Sequence, residues 1–346
     1  MEGKDICLAL ADKPEPAAIS KEEFLRLYSG IVADYPILGQ GSQTVRRYFR
    51  SMELFSRVCP RGSLVLDVGA WPGTLAVWLK RAGWKVWAID KDAKREAKYS
   101  SQSLIVPDMG SNAESGSLVS ICKHEQIGIE SLDIERSGLP FETESVDAVI
   151  CTEVIEHLWS NPLFALSEMN RVLKRDTGCL LLSTPNLTAL RNRINFVLGR
   201  VHQVIEHPFV SFLKAERIGH MGHLRLYSPD ELLSLLTLMG FRSTIEYDLL
   251  VLDPPDFRVN SPTNRGPDSR APEPSTQRKR SMMRRLAKPP DQYFRAAWAT
   301  LVATLEHAYP PFRQQVFVVA TKVTDSDYER NHEEAFRRLV MENRFN

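Results

Sequence analysis

The chain has 346 residues, 43% hydrophobic and 25% charged, with a formal net charge of +1. That length suits one large α/β domain with appendages or two small domains, and the composition is that of an ordinary globular protein. So small a net charge excludes a whole-molecule field drawing the protein to nucleic acid or membrane and leaves that work to local patches. Cys7, Cys59, Cys122, Cys151 and Cys179 form no C-x-x-C pair. They read as reduced, buried side chains of a cytoplasmic protein. The opening Met-Glu-Gly-Lys-Asp has no basic segment leading into an apolar core, and no apolar run is long enough to span a bilayer, so neither a signal peptide nor a membrane span is expected.

In chain order, residues 1–59 read as a helical lead-in. Ser20-Lys-Glu-Glu23 fits a capping box, and a second helix is predicted over 43–58. Strands follow at 63–68, at 85–89 with Asp90 at its end, near 127–134, at 146–151 and at 179–183, with helices between them such as 163–174. Apolar strands alternating with helical patterns predict a parallel sheet covered on both faces. Ser228-Pro-Asp-Glu231 predicts another capped helix, ended by Gly240; 241–252 reads as strand six and 315–321 as the last strand. Residues 99–126 are serine-rich and predict a surface loop with a short helix. Residues 254–290, rich in Pro, Arg and Ser, predict a disordered insertion leading into an amphipathic helix over 293–307. The domain boundaries implied are 1–59, then 60–253 plus 313–323 for the α/β domain, 254–312 for the insertion, and 324–346 for a helical tail.

Asp67-Val-Gly-Ala-Trp-Pro-Gly73 directly follows the first strand. Strand, glycine-rich turn and helix in that order bind nucleotide-like cofactors at the carboxyl edge of a parallel sheet. A dinucleotide fingerprint needs G-x-G-x-x-G; Trp71 and Pro72 deny it, which excludes a nicotinamide-dependent oxidoreductase. Asp67-x-Gly69-x-x-x-Gly73 suits a cofactor with a cationic amino-acid arm and no phosphate, and S-adenosylmethionine is such a cofactor. Gly69, Ala70 and Gly73 permit close backbone approach, Asp67 is placed for the amino group, and Asp90, with Lys91 after it, ends strand two where a carboxylate can accept both ribose hydroxyls.

From these residues the chain resembles the class I S-adenosylmethionine-dependent methyltransferases, in particular the broad type 11 group, over roughly 60–245. Leu139 to Leu158, Arg171-Val-Leu-Lys174 and Ser183-Thr-Pro-Asn186 are similar to the family's acidic loop, fourth strand, following helix and fifth strand. The resemblance implies a Rossmann-like seven-stranded sheet of order 3-2-1-4-5-7-6 with the last strand antiparallel. It also implies that Asp133 reads the adenine amino group and Ile134 packs on the ring, with Glu135 an alternative owner if the register slips.

Glu153-Val-Ile-Glu156-His157 resembles the E-x-x-E-H segment of ubiquinone-biosynthesis O-methyltransferases and of small-RNA ribose methyltransferases. If it is helical, Glu153, Glu156 and His157 share one face and can hold Mg²⁺ or Mn²⁺, and Glu153 is also a candidate contact for the cofactor. His223, with His220 nearby, stands in a similar setting to the downstream histidine of the RNA enzymes. Without metal, His157 or His223 is the candidate general base; a packed helix start and hydrogen-bonded structural histidines are the plain alternatives. Ser183-Thr-Pro-Asn186 is not the signature of amino-directed nucleic-acid enzymes, so oxygen is the expected acceptor, on a small molecule, sugar or lipid-linked intermediate. The Arg- and His-rich stretch 191–223 suits an anionic acceptor. DNA is not an expected partner, near-neutral charge argues against RNA, and a catalytically silent scaffold is the reading from another class. The basic run Arg278-Lys-Arg280, Arg284-Arg285 and Lys288 ahead of Leu301, Val302 and Leu305 suggests a peripheral membrane contact through 278–305, against the plainer reading of a linker and packed helix.

Overall fold

The structure is a computed structural model. It describes residues 15–91, 117–158, 160–200, 222–248, 300–302, 304–306 and 308–326. Helices α1 (Lys21–Asp34) and α2 (Ser42–Ser56) precede β1 (Leu64–Val68), α3 (Thr74–Arg81), β2 (Lys85–Asp90), α4 (Leu118–His124), β3 (Gly128–Ser131), β4 (Ala148–Thr152), α5 (Pro162–Val172), β5 (Cys179–Pro185), α6 (Leu190–Val197), α7 (Pro229–Leu238), β6 (Phe241–Asp248) and β7 (Gln315–Lys322). The seven strands form one sheet of order β3-β2-β1-β4-β5-β7-β6. The first five strands pair in parallel, and β7 runs antiparallel between β5 and β6. This is the expected doubly wound order, and it places the carboxyl ends of β1, β2, β4 and β5 along one edge, where such sheets bind ligands.

The central strands are near-continuous apolar runs because both faces are covered. On one face Phe24, Phe55, Trp78 and Trp84 pack as an aromatic group, with Phe24 and Trp78 centroids 5.4 Å apart. The helical lead-in therefore belongs to the sheet's own core: Phe24, Tyr28 and Ile31 of α1 and Val45, Met52 and Phe55 of α2 are buried in the same cluster as Val65 and Ile150. On the other face Leu66, Val149 and Leu180 meet Leu166 and Met169 of α5 and Leu232 and Leu236 of α7.

Several local expectations change. Strand three ends at Ser131, so Asp133 and Ile134 lie in the turn beyond it; Asp133 instead organises that turn, accepting the Glu135 N–H on Oδ1 at 3.1 Å. The fourth strand starts at Ala148, with Val146 in an isolated bridge, while the fifth and last strands run on to Pro185 and Lys322. The described part of strand six ends at Asp248. At Ser20 only half of the capping box forms. Ser20 Oγ accepts from Glu23 N, but the Glu23 carboxylate accepts from Arg61 at 2.6 Å rather than turning back. At Ser228 both halves form. The short helix foreseen within 99–126 is α4. The insertion over 254–290, His220 and most of the 324–346 tail lie outside the described residues.

Candidate active site

The first half of the site is the β1–α3 junction. Gly69 (φ +75°) and Gly73 (φ +107°) take left-handed conformations that L side chains rarely adopt. A Cβ on Gly69 would stand 2.3 Å from Val154 Cγ2, so nothing larger fits between this turn and the segment after β4. The turn is tied to β2: Gly69 N donates to Ile89 O at 2.8 Å, and Trp71 N donates to Asp90 Oδ2 at 3.0 Å. Asp90 is thus anchored at the tip of β2 beside the glycine turn, as its spacing foretold. Asp67, at the end of β1, is 2% exposed, and its Oδ2 makes no hydrogen bond. Burial, reinforced by the Asp90 charge, pushes the Asp67 carboxyl up to about 7. A buried, under-bonded acid beside a second acid invites a cation, and the glycine turn leaves backbone close at hand. These features fit the ammonium-bearing arm of S-adenosylmethionine. Lys91, expected beside the cofactor, pairs with Asp133 Oδ2 at 3.0 Å. Burial raises the Asp133 pKa, but that contact and the Glu135 N–H outweigh it and hold the carboxyl below its usual value. Glu135, the alternative adenine reader, accepts from Ser160 N and Asn161 N, both at 2.7 Å, and so pins the entry to α5.

The second half lies past β4 and β5. The E-x-x-E-H segment is not α-helical. Glu153 is left-handed at φ +57°, and Ile155–His157 form a single 3-10 turn. The one-face expectation fails accordingly, and the two glutamates part. Glu153 turns toward α2, where Arg47 Nη1 donates to its Oε2, while Ser183 Oγ and Gln315 Nε2 donate to its Oε1. Glu156 is fully buried; Thr184 Oγ1 donates to its Oε2 at 3.0 Å, and its Oε1 has no hydrogen-bond partner. Burial first, and the Glu153 charge second, raise its pKa well above the usual carboxylate value.

His223 takes the place beside Glu156 and His157 that the sequence pattern assigned to Glu153. Ligand atoms of Glu156, His157 and His223 all lie within 4.8 Å of one another, and the two imidazole centroids are 5.1 Å apart. The backbone holds this group together: Leu224 N donates to Glu156 O at 2.9 Å, and His157 Nδ1 lies 3.2 Å from Gly222 O. A carbonyl can only accept, so His157 Nδ1 carries the proton and Nε2 is the nitrogen with a lone pair. One carboxylate and two imidazoles form a mixed oxygen and nitrogen donor set that fits a divalent metal. Arg47, Thr184 and Gln315 were not foreseen as site residues. Arg47 reaches Glu153 across 106 positions of sequence, so no local pattern could announce it.

Fold and site together define a class I S-adenosylmethionine-dependent methyltransferase domain. The chain belongs to the methyltransferase domain family, whose model matches residues 41–245. It is 37% identical over 113 residues to a probable S-adenosylmethionine-dependent methyltransferase of Mycobacterium tuberculosis, a match covering 33% of each chain. A ubiquinone biosynthesis O-methyltransferase of Glaesserella parasuis is 34% identical over 128 residues, covering 37% of this chain and 48% of the relative. The matches thus span a third to a half of these relatives' length. Among solved structures, an S-adenosylmethionine-dependent methyltransferase from Archaeoglobus fulgidus aligns over 85% of this chain and 99% of its own, with 16% identity and a TM-score of 0.44.

Proposed function

We propose that the protein transfers a methyl group from S-adenosylmethionine to a hydroxyl oxygen of a small-molecule, sugar or lipid-linked acceptor. The observation that carries the oxygen reading is the group Glu156, His157 and His223, a buried carboxylate with one unbonded oxygen beside two imidazoles. A buried acceptor without a partner costs about 1–3 kcal/mol, which a bound cation offsets. The ubiquinone O-methyltransferase relative supports the same acceptor atom.

Glu156, His157 and His223 would hold the metal, and the two-imidazole set favours Mn²⁺ over Mg²⁺, which prefers oxygen donors. When bound, the metal lowers a hydroxyl's pKa and orients its oxygen. The methyl of S-adenosylmethionine is already activated, so the chain's main task is alignment. Asp67 and Asp90 hold the donor's charged arm and ribose, and the glycine turn fixes their separation. Arg47 keeps Glu153 away from the His157 and His223 pair. With no metal, His157 Nε2 remains the nitrogen able to take the hydroxyl proton. A cytoplasmic setting is part of this reading; its support is that the four described cysteines are buried and free.

Calorimetry with S-adenosylhomocysteine, using Asp90→Ala as control, tests the cofactor half. Mn²⁺ titration of the wild type against Glu156→Ala tests the other. Micromolar cofactor binding lost in Asp90→Ala, and Mn²⁺ binding lost in Glu156→Ala, are expected. Equal Mn²⁺ binding by both proteins, with turnover indifferent to chelator, would remove the metal from the reading.

A further inference from the structure

Among the described residues the exposed large apolar side chains are Ile37 and two neighbouring groups: Phe196, Val197 and Leu198 at the end of α6, and Leu301, Leu305 and Tyr309. Val197 is 87% exposed. In α6 Leu190 and Ile194 are half-buried, whereas Phe196 and Val197 at its end are exposed. Residues 300–302, 304–306 and 308 are helical, and Tyr309 N donates to Leu305 O at 2.9 Å, which puts Leu301, Leu305 and Tyr309 on one stripe. The other side of that helix is anchored: Val302 and Glu306 are 4% and 2% exposed. The two segments meet at their roots. Arg191 Nε lies 3.6 Å from Glu306 Oε1, and Asn186 Nδ2 donates to Arg313 O at 2.7 Å.

Charge decides what such a surface fits. Leu190 to Arg200 carries Arg191, Arg193 and Arg200 and no acid, and the one acid of 300–309, Glu306, is buried. Arg193 and Arg200 are exposed. Exposed apolar tips flanked by Arg200 and by Arg193, whose Nε donates to Thr188 O at 2.6 Å, with no exposed acid on either segment, complement an anionic lipid surface, where the apolar side chains enter the acyl boundary and the guanidinium groups meet headgroups. We propose that the tip of α6 and the Leu301, Leu305 and Tyr309 stripe form one docking surface for an anionic bilayer. The membrane contact expected over 278–305 lies mostly outside the described residues; Leu301 and Leu305 are its described share, and α6 is the part the sequence reading did not include. α6 follows the carboxyl end of β5, the strand whose Thr184 donates to Glu156. Such docking is independent of the identity of the methyl acceptor.

The test is flotation of the full chain with vesicles of phosphatidylcholine alone or with about 30% phosphatidylglycerol, enough to set a negative surface potential. The wild type should float with the anionic vesicles only. Val197→Asp with Leu198→Asp should lower that binding by about tenfold or more, because charges replace the inserted tips. Arg193→Glu with Arg200→Glu should lower it by about twenty-five-fold or more, since each cation near the surface contributes roughly fivefold and the new acids are repelled. Lys85→Glu with Lys123→Glu, the same charge change elsewhere, should stay within about twofold of wild type. All these side chains are exposed, so melting temperatures should hold. Failure of the wild type to float, or equal binding by the Val197 and Leu198 variant, overturns the proposal. So does a concentration-dependent dimer that the variant disperses while vesicles are ignored, which makes the surface an interface between copies of the chain.

Discussion

The two halves of the site are built by different means. Around Asp67 and Asp90 the backbone does the work: two left-handed glycines, a turn bonded to Ile89 O, and a strand tip that receives the Trp71 N–H. Past β4 and β5 the work falls to side chains from distant elements: Arg47 from α2, Thr184 from β5, Gln315 from β7, and His223 from the stretch before α7. A backbone-built half tolerates little substitution and is insensitive to what surrounds it. A half built from side chains can be retuned one residue at a time, as acceptor specificity requires on a shared fold.

The largest effect is expected where the backbone-built half is broken. Gly69→Ala forces a Cβ into Val154 and a residue into left-handed space at φ +75°. The conformational penalty alone is about 1–2 kcal/mol, with overpacking of about 1–3 kcal/mol added. Affinity for S-adenosylhomocysteine should fall by about a hundredfold or more, read by calorimetry. An affinity within tenfold of wild type would mean that the turn is not the rigid element described.

Glu156→Ala comes next and separates the halves. Mn²⁺ binding should drop by about 10–100-fold while cofactor affinity stays within about threefold, because Glu156 is bonded to Thr184, Leu224 and Arg225. Glu153→Gln should do the reverse to Mn²⁺, leaving it bound. Equal loss of metal in both variants would return Glu153 to the ligand set.

These contrasts follow what could be read in the sequence. The strands, the glycine turn, Asp67 and Asp90 were legible because each is a local pattern, an apolar run, a glycine spacing or an acid at a strand tip; the order of the strands came only from the family resemblance. The E-x-x-E-H segment was legible as a site and not as a geometry. Its spacing fits a helix face, but Glu153 turns left-handed as its own N–H bonds Ser183 O, and the chain reaches Glu156 through a 3-10 turn. Asp133 misled by two residues because β3 stops at Ser131. Arg47 and Gln315 carried no signal, since what gives them a role is a partner far away in the chain.

A smaller effect is expected with pH. Asp67 titrates near 7, raised by burial and by Asp90. The folded apoprotein binds this proton more tightly than the unfolded chain, so its contribution to stability is greatest below the unfolded value near 4, falls as pH rises toward 7, and is level above. The ligand's ammonium group needs the ionised form, so affinity for S-adenosylhomocysteine should rise by about tenfold from pH 6 to pH 8. Asp67→Asn should weaken binding and flatten that rise. A profile unchanged in Asp67→Asn would assign the titration elsewhere.

The smallest effect belongs to the residue that links the halves. Glu135 leaves the turn after β3, on the cofactor side, and receives Ser160 N and Asn161 N at the entry to α5, on the acceptor side. Substituting a capping acceptor costs about 0.5–2 kcal/mol, so Glu135→Ala should lower the melting temperature by a few degrees, about 2–4 °C per kcal/mol in a domain of this size. If the glycine turn sustains itself, S-adenosylhomocysteine affinity should move by less than about twofold, since the lost bonds lie outside it. A large loss of affinity at so small a cost in stability would show that cofactor binding depends on how the acceptor side is held, and the division between a rigid half and a tunable half would give way to a single coupled site.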